Sequence, residues 1–556
     1  MNKAGTKLSK LDRFLISEGI PEDIPDIRVT AINRMWSDHT PILLHAMKLD
    51  FGPSPFKFNS WLNRDSFDDL IKSTWPTLEA LNAGRIFRSY GKLRCLKTAI
   101  KQWHSNTRNN YRTLKHVALS DIKDIEKNID DGSASSSDRD ERIKLLQDID
   151  KLEALDLIQK AHIKWDIEGG ESSKFFYGVI NNKRRSQAIT RILHDGVWIS
   201  DLFLIKEAFI NYYKEEFQAH DSQVVFSLMI HSTSLTSLDR DSLETHISLD
   251  KIKTAVWDCG SNKAPGPDGF SFAFIKKYWD LIKTDILKFV NSFFVSGSMP
   301  QGANSSFFTL IPKTSNPIYV KDFRPISLIG IHYKIIVEVL ANRICGVINK
   351  IVSKEQYAFI LAVKFLMALL SLVSLGLGSK WRSWIRACLQ SSRASILING
   401  SPTFEFYIKR GLRQGDPLSH FLFILVMEGL HGVMSNAVNY GLFRGIKLGS
   451  SDITLSHLFY DDDMLITFER NSGDLDNIIW VPHVFHLASS PKINIHKSNI
   501  YGTGVSNDEV PFMASGCVAG SFPFTYLGLP IGSNMTLTSS WNILVGRFQK
   551  RLSSWK

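Results

Sequence analysis

The stretch HLFYDDDMLITF, His457 to Phe468, sets three consecutive carboxylates, Asp461, Asp462 and Asp463, between two apolar, β-prone runs. That pattern predicts a hairpin with acids at its tip. Side chains alternate faces along a strand, so like charges crowded at one tip are tolerable only in water or against a cation. Hard divalent ions such as magnesium take carboxylate oxygens and complete their shell with substrate phosphates. Two such ions about 3.5–4 Å apart can activate a hydroxyl and stabilise the leaving oxygen of a phosphoryl transfer. Asp-rich tips are more often plain solvated turns, so the neighbouring segments decide between the two readings.

Upstream, residues 410–430 (RGLRQGDPLSHFLFILVMEGL) read as a loop with Gly411 and Gly415 leading into a long apolar helix that begins near Asp416 and Pro417. Small residues before a helix amino terminus let a nucleotide approach the backbone. Further upstream come APGPDGF (264–270), LIPKTSNP (310–317) and DFRPISL (322–328). Downstream stand KINIHKSN (492–499) and FTYLGLPIG (524–532).

The chain has 556 residues, enough for about three or four domains. With 44% hydrophobic and 22% charged residues, a mostly disordered or fibrous chain is excluded. The net charge of +11 favours polyanionic partners. Cys95, Cys259, Cys345, Cys388 and Cys517 lie far apart with no C-x-x-C pair, which suggests neither a zinc module nor a disulfide framework. The amino terminus is polar and basic, so no signal peptide is expected, and an intracellular setting, nuclear or cytoplasmic, is.

Between Glu79 and Asp121 there is no acidic residue, while Arg85, Arg88, Lys92, Arg94, Lys97, Lys101, Arg108, Arg112 and Lys115 recur through a helix-compatible sequence. Interleaved with Phe87, Tyr90, Trp103 and Tyr111, the stripe suits a phosphate backbone plus stacking, although a solvated helix face reads the same way. DDGSASSSDRDER (130–142) reads as a linker or helix–helix loop before a second helical stretch at 143–167. GVWIS (196–200) reads as a strand after the Asp195-Gly196 turn. One apolar segment, 358–378, has the length of a bilayer span; it is embedded between patterned polar segments, and no membrane partner is expected.

The ordered set APGPDGF, IPK, DFRPISL, RQGDPLS, FYxDD, KINxxKS and YLGLPIG resembles the reverse transcriptase of plant non-LTR, LINE-type retrotransposons, over roughly residues 249–556. SKLDRFL (9–15) and WSDHTPILL (36–44) resemble the end of the apurinic-type endonuclease domain that precedes that polymerase. The resemblance implies an α+β fold: right-hand-like fingers and palm on an antiparallel sheet, preceded by a helical connector and a small endonuclease remnant. The implied boundaries are 1–48 for the remnant, 49–248 for the basic connector, 249–535 for the reverse transcriptase domain and 536–556 for the start of a truncated thumb.

Carried over by motif, Asp462 and Asp463 match the catalytic, metal-holding aspartates and Tyr460 the aromatic beside the primer end. Arg324 lies where the fingers meet the incoming triphosphate, Gln414 and Gly415 in the loop near its sugar and the templating base, and Lys497 on the pyrophosphate side. Leu527 and Gly528 match the primer grip, and Asp38 and His39 the endonuclease pair. Magnesium or manganese, an RNA template, a DNA primer and deoxynucleoside triphosphates are the implied cofactors and partners.

The departures from the family pattern point to impairment. The acid-bearing strand of the type VDFEKAFD is missing: no aspartate occurs between Asp322 and Asp416, where only Glu338, Glu355 and Glu405 are acidic. An apolar tract near 361–378 stands in its place, as an internal deletion or a misjoined frame would leave it. Asp461 adds a third like charge beside the pair, His420 follows PLS in place of proline, and Ser490-Pro491 precede KIN. The alternative is a nucleic-acid-binding relic without catalysis. In either case binding of single-stranded RNA, followed by fluorescence anisotropy, is expected to be sequence-tolerant and to fall at least tenfold between 50 and 200 mM salt, about what a few phosphate contacts give.

Overall fold

The computed structural model describes residues 27–31, 42–45, 51–57, 66–81, 88–133, 135–161, 188–218, 235–353, 375–447, 454–460, 463–469, 471–489, 494–504 and 517–553, with the single residues 14 and 62. In chain order these form β1 (Arg28–Ala31), β2 (Ile42–His45), α1 (Phe67–Leu81), α2 (Arg88–Asp130), α3 (Ser136–Ala161), β3 (Ile192–His194), β4 (Val197–Ile199), α4 (Leu202–Glu216), α5 (Ser237–Glu244), α6 (Leu249–Asp258), α7 (Phe272–Lys277) and α8 (Trp279–Ser296). There follow β5 (Ser305–Pro312), β6 (Phe323–Ile329), α9 (Ile331–Cys345), α10 (Ser379–Gln390), β7 (Arg393–Ile398), β8 (Ser401–Pro402), β9 (Phe406–Tyr407), α11 (Ser419–Asn439), β10 (Ile446–Lys447), β11 (Thr454–Leu455), β12 (His457–Tyr460) and β13 (Asp463–Ile466). The last elements are α12 (Ser472–Ser489), β14 (Asn499–Tyr501), β15 (Val518–Gly520), β16 (Phe524–Tyr526), β17 (Leu529–Ile531) and α13 (Thr538–Ser553).

Local chemistry accounts for many of these boundaries. Asp201, Thr236 and Ser248 cap α4, α5 and α6, each side chain accepting a backbone N–H three residues on. Asp195 and Gly196 both adopt positive φ, 48° and 79°, the two-residue turn whose twist suits the β3–β4 hairpin. The serine-rich stretch at 130–142 is shorter as a loop than its composition suggests. Ser135 accepts the Asp138 N–H at 3.2 Å and Asp138 accepts the Ser135 N–H at 2.8 Å, so the segment starts α3 with a reciprocal cap instead of separating two units.

Among the described residues the largest sheet has five strands, in the order β6-β5-β7-β8, with β9 also on β7. It differs from the expected antiparallel sheet in two respects. β5 and β7 run parallel, Ser305 against Arg393 through Thr309 against Leu397, because α9 and α10 lie in the connection and return the chain in the same direction. Among the described residues the hairpin β12–β13 forms a two-stranded sheet apart from that sheet. Along β5, Ser306, Phe308 and Leu310 are buried; Phe308 and Leu310 pack with Ile205, Phe209 and Tyr213 of α4 on one face, the period of two that a strand imposes.

The larger core crosses the expected boundary at 248. Phe67, Ile71, Trp75, Leu93, Leu96 and Ile100 of α1 and α2 share one cluster with Phe289, Ile336, Leu340, Trp381 and Leu425. APGPDGF braces that union. Gly266 lies so close to the Ile329–Gly330 backbone that a Cβ would stand 2.4 Å from the Ile329 carbonyl carbon, and Asp268 caps α9 by accepting the Ile331 N–H at 2.6 Å. Burial raises the Asp268 pKa to about 6, against the opposing pull of the backbone N–H groups of Ile331 and Phe270.

The basic stripe divides in two. Lys92 is buried, its ammonium 2.9 Å from Asp285 and 5.2 Å from the centre of the Trp75 ring, while Trp75 donates to the same carboxylate at 3.2 Å. It is a core residue and takes no part in any external phosphate contact. Arg94, Lys101, Arg108 and Arg112 remain exposed on α2; Arg85 and Phe87 lie outside the described residues, as do 358–374 of the apolar segment. Its end is anchored: Leu375 and Leu377 are buried, and the Glu244 carboxylate accepts the Trp381 N–H at 3.0 Å at the start of α10. α11 is long and apolar enough to cross a membrane; here Leu422, Leu425, Val426 and Met434 are buried in the core.

Replacing Asp285 with alanine would strand the Lys92 ammonium in that core. Urea denaturation is expected to show a loss of about 3–5 kcal/mol, largely recovered in the double variant Lys92→Met with Asp285→Leu.

Candidate polymerase-like site

The hairpin tip comes first. β12 and β13 pair His457 with Ile466 through Tyr460 with Asp463, as the alternation of HLFYDDDMLITF predicts. Phe459 is buried, and Met464 and Ile466 pack against the core, which sets the face from which Asp463 and Tyr460 emerge; Tyr460 is 41% exposed. Asp461 and Asp462, between the strands, lie outside the described residues, as do Asp38 and His39. Among the described residues no group of three His, Cys, Asp or Glu side chains could hold a metal ion, so Asp463 is the one described member of the proposed acidic pair.

The loop before α11 is held from below. Arg413 and Asp416, with side chains 3% and 4% exposed, pair at 2.9 Å. Tyr333 of α9 donates to the same Asp416 oxygen at 2.8 Å, and the Arg413 guanidinium sits 4.4 Å from the Tyr333 ring centre. Arg413 also donates to the Asn304 carbonyl at 3.2 Å, and the other Asp416 oxygen accepts the Leu418 N–H at 3.0 Å. Burial opposes the Arg413 charge, yet Tyr333 and Asp416 together hold its pKa above the ordinary value; burial raises that of Tyr333. The space left among these side chains is about 10 Å³, no room for a ligand. Above it, the Gln414 carbonyl accepts the Ser327 N–H at 2.7 Å. Gly415, at φ +97°, passes so close to β6 that a Cβ would meet the Ser327 carbonyl oxygen at 3.0 Å, so only glycine fits there.

Arg324 lies opposite Ile311 in the β5–β6 pair and is exposed. Lys313, at the end of LIPK, shares its surroundings: burial lowers its pKa, Arg324 and Lys497 lower it further, and the carboxylates of Asp322 and Glu216 oppose them. Three cations therefore gather at one end of the β5–β6 hairpin, two of them predicted from sequence. The Lys313 ammonium donates to the Lys321 carbonyl at 2.6 Å.

Leu527 and Gly528, at φ 50° and 90°, turn β16 into β17, with Tyr526 opposite Leu529, and the Gly528 carbonyl accepts from Arg547 at 3.2 Å. The structure brings this turn to the aspartate hairpin through a residue that the motif reading passed over: burial raises the Tyr526 pKa, and the Asp463 charge adds to it. The residues missed in the sequence are thus Lys313, Tyr333, Arg413, Asp416 and Tyr526. Lys313, Arg413, Asp416 and Tyr526 stand inside the quoted motifs, so adjacency to a motif residue was the available signal; Tyr333 carried none.

Residues 368–531 match the family Reverse transcriptase (RNA-dependent DNA polymerase). The chain is 22% identical over 551 residues to an uncharacterized 149 kDa protein of transposon TX1 from Xenopus laevis, an alignment covering 88% of this chain and 41% of that protein. It is 43% identical over 68 residues to an uncharacterized mitochondrial protein of Arabidopsis thaliana, covering 12% of this chain and 56% of that protein. It is 24% identical over 279 residues to the retrovirus-related Pol polyprotein from a type-2 retrotransposable element of Drosophila melanogaster, covering 43% of this chain and 25% of that protein. The chain thus spans between a quarter and somewhat over half the length of these relatives.

The buried cluster below the loop makes a direct prediction. Asp416→Asn removes the partner of a buried guanidinium and is expected to cost about 3–5 kcal/mol in chemical denaturation, whereas Tyr333→Phe, which removes one hydrogen bond to a charged acceptor, costs about 1.5–3 kcal/mol. With its loop, hairpin and turn arranged in this way and residues 368–531 matching that family, the chain is reverse transcriptase-like, and it is similar over most of its length to a transposon protein.

Proposed function

We propose that this chain comes from a LINE-type, non-LTR retrotransposon of the plant kind and keeps the nucleic-acid and triphosphate contacts of a reverse transcriptase while its polymerisation is impaired. The observation that carries the reading is the isolation of the aspartate hairpin: among the described residues no third strand flanks β12–β13. In the stretch without aspartate, the two described glutamates are engaged by other groups. Glu338 stands against Cys259 and Lys334, and Glu405 pairs with Arg393 at 3.3 Å. Two metal ions need carboxylates from more than one strand to bridge them, and the described residues supply Asp463 alone. Asp461 and Asp462 lie outside the described residues, and no catalytic step is assigned through a metal pair.

The contacts that remain are those of binding. Lys313, Arg324 and Lys497 supply the positive charge that a triphosphate would meet, an attraction strengthened by the partial burial of Lys313. Gln414 and Gly415, locked to β6, offer backbone beside a helix start. Tyr460 and the Leu527–Gly528 turn flank the place where a primer end would lie against Asp463. Residues 1–48, with Asp38 and His39, are read as an endonuclease remnant, and the polar, basic amino terminus is read with a nuclear or cytoplasmic location. A second reading, a nucleic-acid binder without any polymerase role, is favoured by the exposed Arg94, Lys101, Arg108 and Arg112 of α2.

Primer extension on an RNA template with magnesium or manganese tests the reading. The expected outcome is extension at background, unchanged by Asp462→Ala, with triphosphate binding that weakens roughly tenfold in Lys313→Ala with Arg324→Ala, about 1.4 kcal/mol. Template-dependent extension that Asp462→Ala lowers about a thousandfold, about 4 kcal/mol, would instead establish a working polymerase.

A further inference from the structure

Behind the aspartate hairpin two histidines face each other. His457 opens β12 and is 3% exposed; its Nε2 lies 2.9 Å from Nδ1 of His431 on α11. The chain of contacts continues at both ends, from His457 Nδ1 to the Ser456 hydroxyl at 2.9 Å and from His431 Nε2 to the Ser435 hydroxyl at 3.4 Å. The Phe459 ring, 5.1 Å from His457, closes the site on the strand side. Neither histidine side chain has a role in the site described above.

A nitrogen pair at 2.9 Å needs one N–H and one lone pair. Two neutral imidazoles provide that arrangement, with the serine hydroxyls completing the line because each can donate or accept. A second proton beyond neutrality would set two N–H groups and two charges face to face inside the core. We propose that His431 and His457 are positioning residues, a neutral hydrogen-bonded latch that fixes the base of the β12–β13 hairpin to α11 and opens on acidification. The role rests on the reading of that hairpin as the aspartate-bearing element of a polymerase. The latch acts where leverage is greatest: His457 stands opposite Ile466, three residues before Tyr460, so a shift at this end moves the tip.

The charged surroundings reinforce the direction. Burial, then His431, lowers the His457 pKa from its ordinary value to about 4. On α11 the nearest carboxylate, Glu428, is taken by the Ser353 N–H and hydroxyl at 3.0 and 2.9 Å. On α12, His483 and His486 stack near Trp480 and each other, and Asp474 accepts the Arg444 N–H at 3.1 Å. On β13 the ionisable group is Asp463, at the opposite end of the hairpin from His457. A lowered pKa means that the opened state binds the proton more tightly. The latch is therefore complete above about pH 6.5, the open-state value, and is lost as pH falls toward about 4.

Amide hydrogen exchange of residues 457–466 in the full chain, corrected for intrinsic rates and followed from pH 7.5 to 5, tests this without any polymerase activity. Wild-type protection is expected to drop close to tenfold per pH unit below about 6.5. His457→Gln, which can still donate and accept, keeps most of the protection at pH 7.5 but loses the pH slope, whereas His457→Phe loses at least tenfold at pH 7.5. His332→Gln is the control: its ring is also buried, with a pKa lowered to about 3, but it lies at Ser89 and not behind the hairpin, so the slope at 457–466 persists. An unchanged slope in His457→Gln, or wild-type protection in His457→Phe, overturns the latch; should His457→Phe not fold, the slope in His457→Gln still decides. Silence in primer extension bears on the proposed function alone.

Discussion

The Arg413–Asp416 ion pair, sealed beneath the Tyr333 hydroxyl, is the constraint on which the site depends. It joins the loop before α11 to α9 through Tyr333 and to the start of β5 through the Asn304 carbonyl. A buried pair of this kind adds little net stability over an apolar packing, because desolvation cancels much of the attraction, but removing either partner leaves a charge with nowhere to go. The consequence is a single loop conformation. Gln414 and Gly415 are delivered against Ser327 as a rigid edge, and the long apolar helix α11 begins at a fixed point behind the aspartate hairpin.

The same logic recurs where the connector helices meet the rest of the chain. Lys92, Trp75 and Asp285 form a buried polar knot across α1, α2 and α8, and APGPDGF wedges between α2 and α9, with Lys97 donating to the Pro267 carbonyl at 3.1 Å. Apolar burial around these knots supplies the cohesion, since it is roughly proportional to area and indifferent to register. The polar contacts decide which residues face which. The helical connector is thereby a wall of the polymerase-like core, and its remaining exposed arginines and Lys101 extend from that wall into solvent.

Several features were legible before any coordinates because they follow from short-range rules. The β12–β13 hairpin shows in the alternation of HLFYDDDMLITF, the β3–β4 turn in Asp195-Gly196, and the long helix α2 in a run free of glycine clusters and proline. The serine-rich stretch at 130–142 holds the helix–helix loop its composition offers, but a shorter one, because serine and aspartate serve equally as loop residues and as helix caps. Lys92 misled because a lysine in a basic stripe looks exposed until a carboxylate 193 positions away is brought to it.

The amino-acid sequence by itself determined the local elements, the order of the motifs and the resemblance those motifs carry, since each is written in neighbouring residues whose preferences act over a few bonds. Tertiary structure alone decided the parallel pairing of β5 with β7, the gathering of Lys313, Arg324 and Lys497, the approach of Tyr526 to Asp463 and the facing of His431 and His457. Those contacts join residues from about ten to nearly two hundred positions apart, and the free energy that selects them is collective, summed over the whole core, so no single segment encodes them.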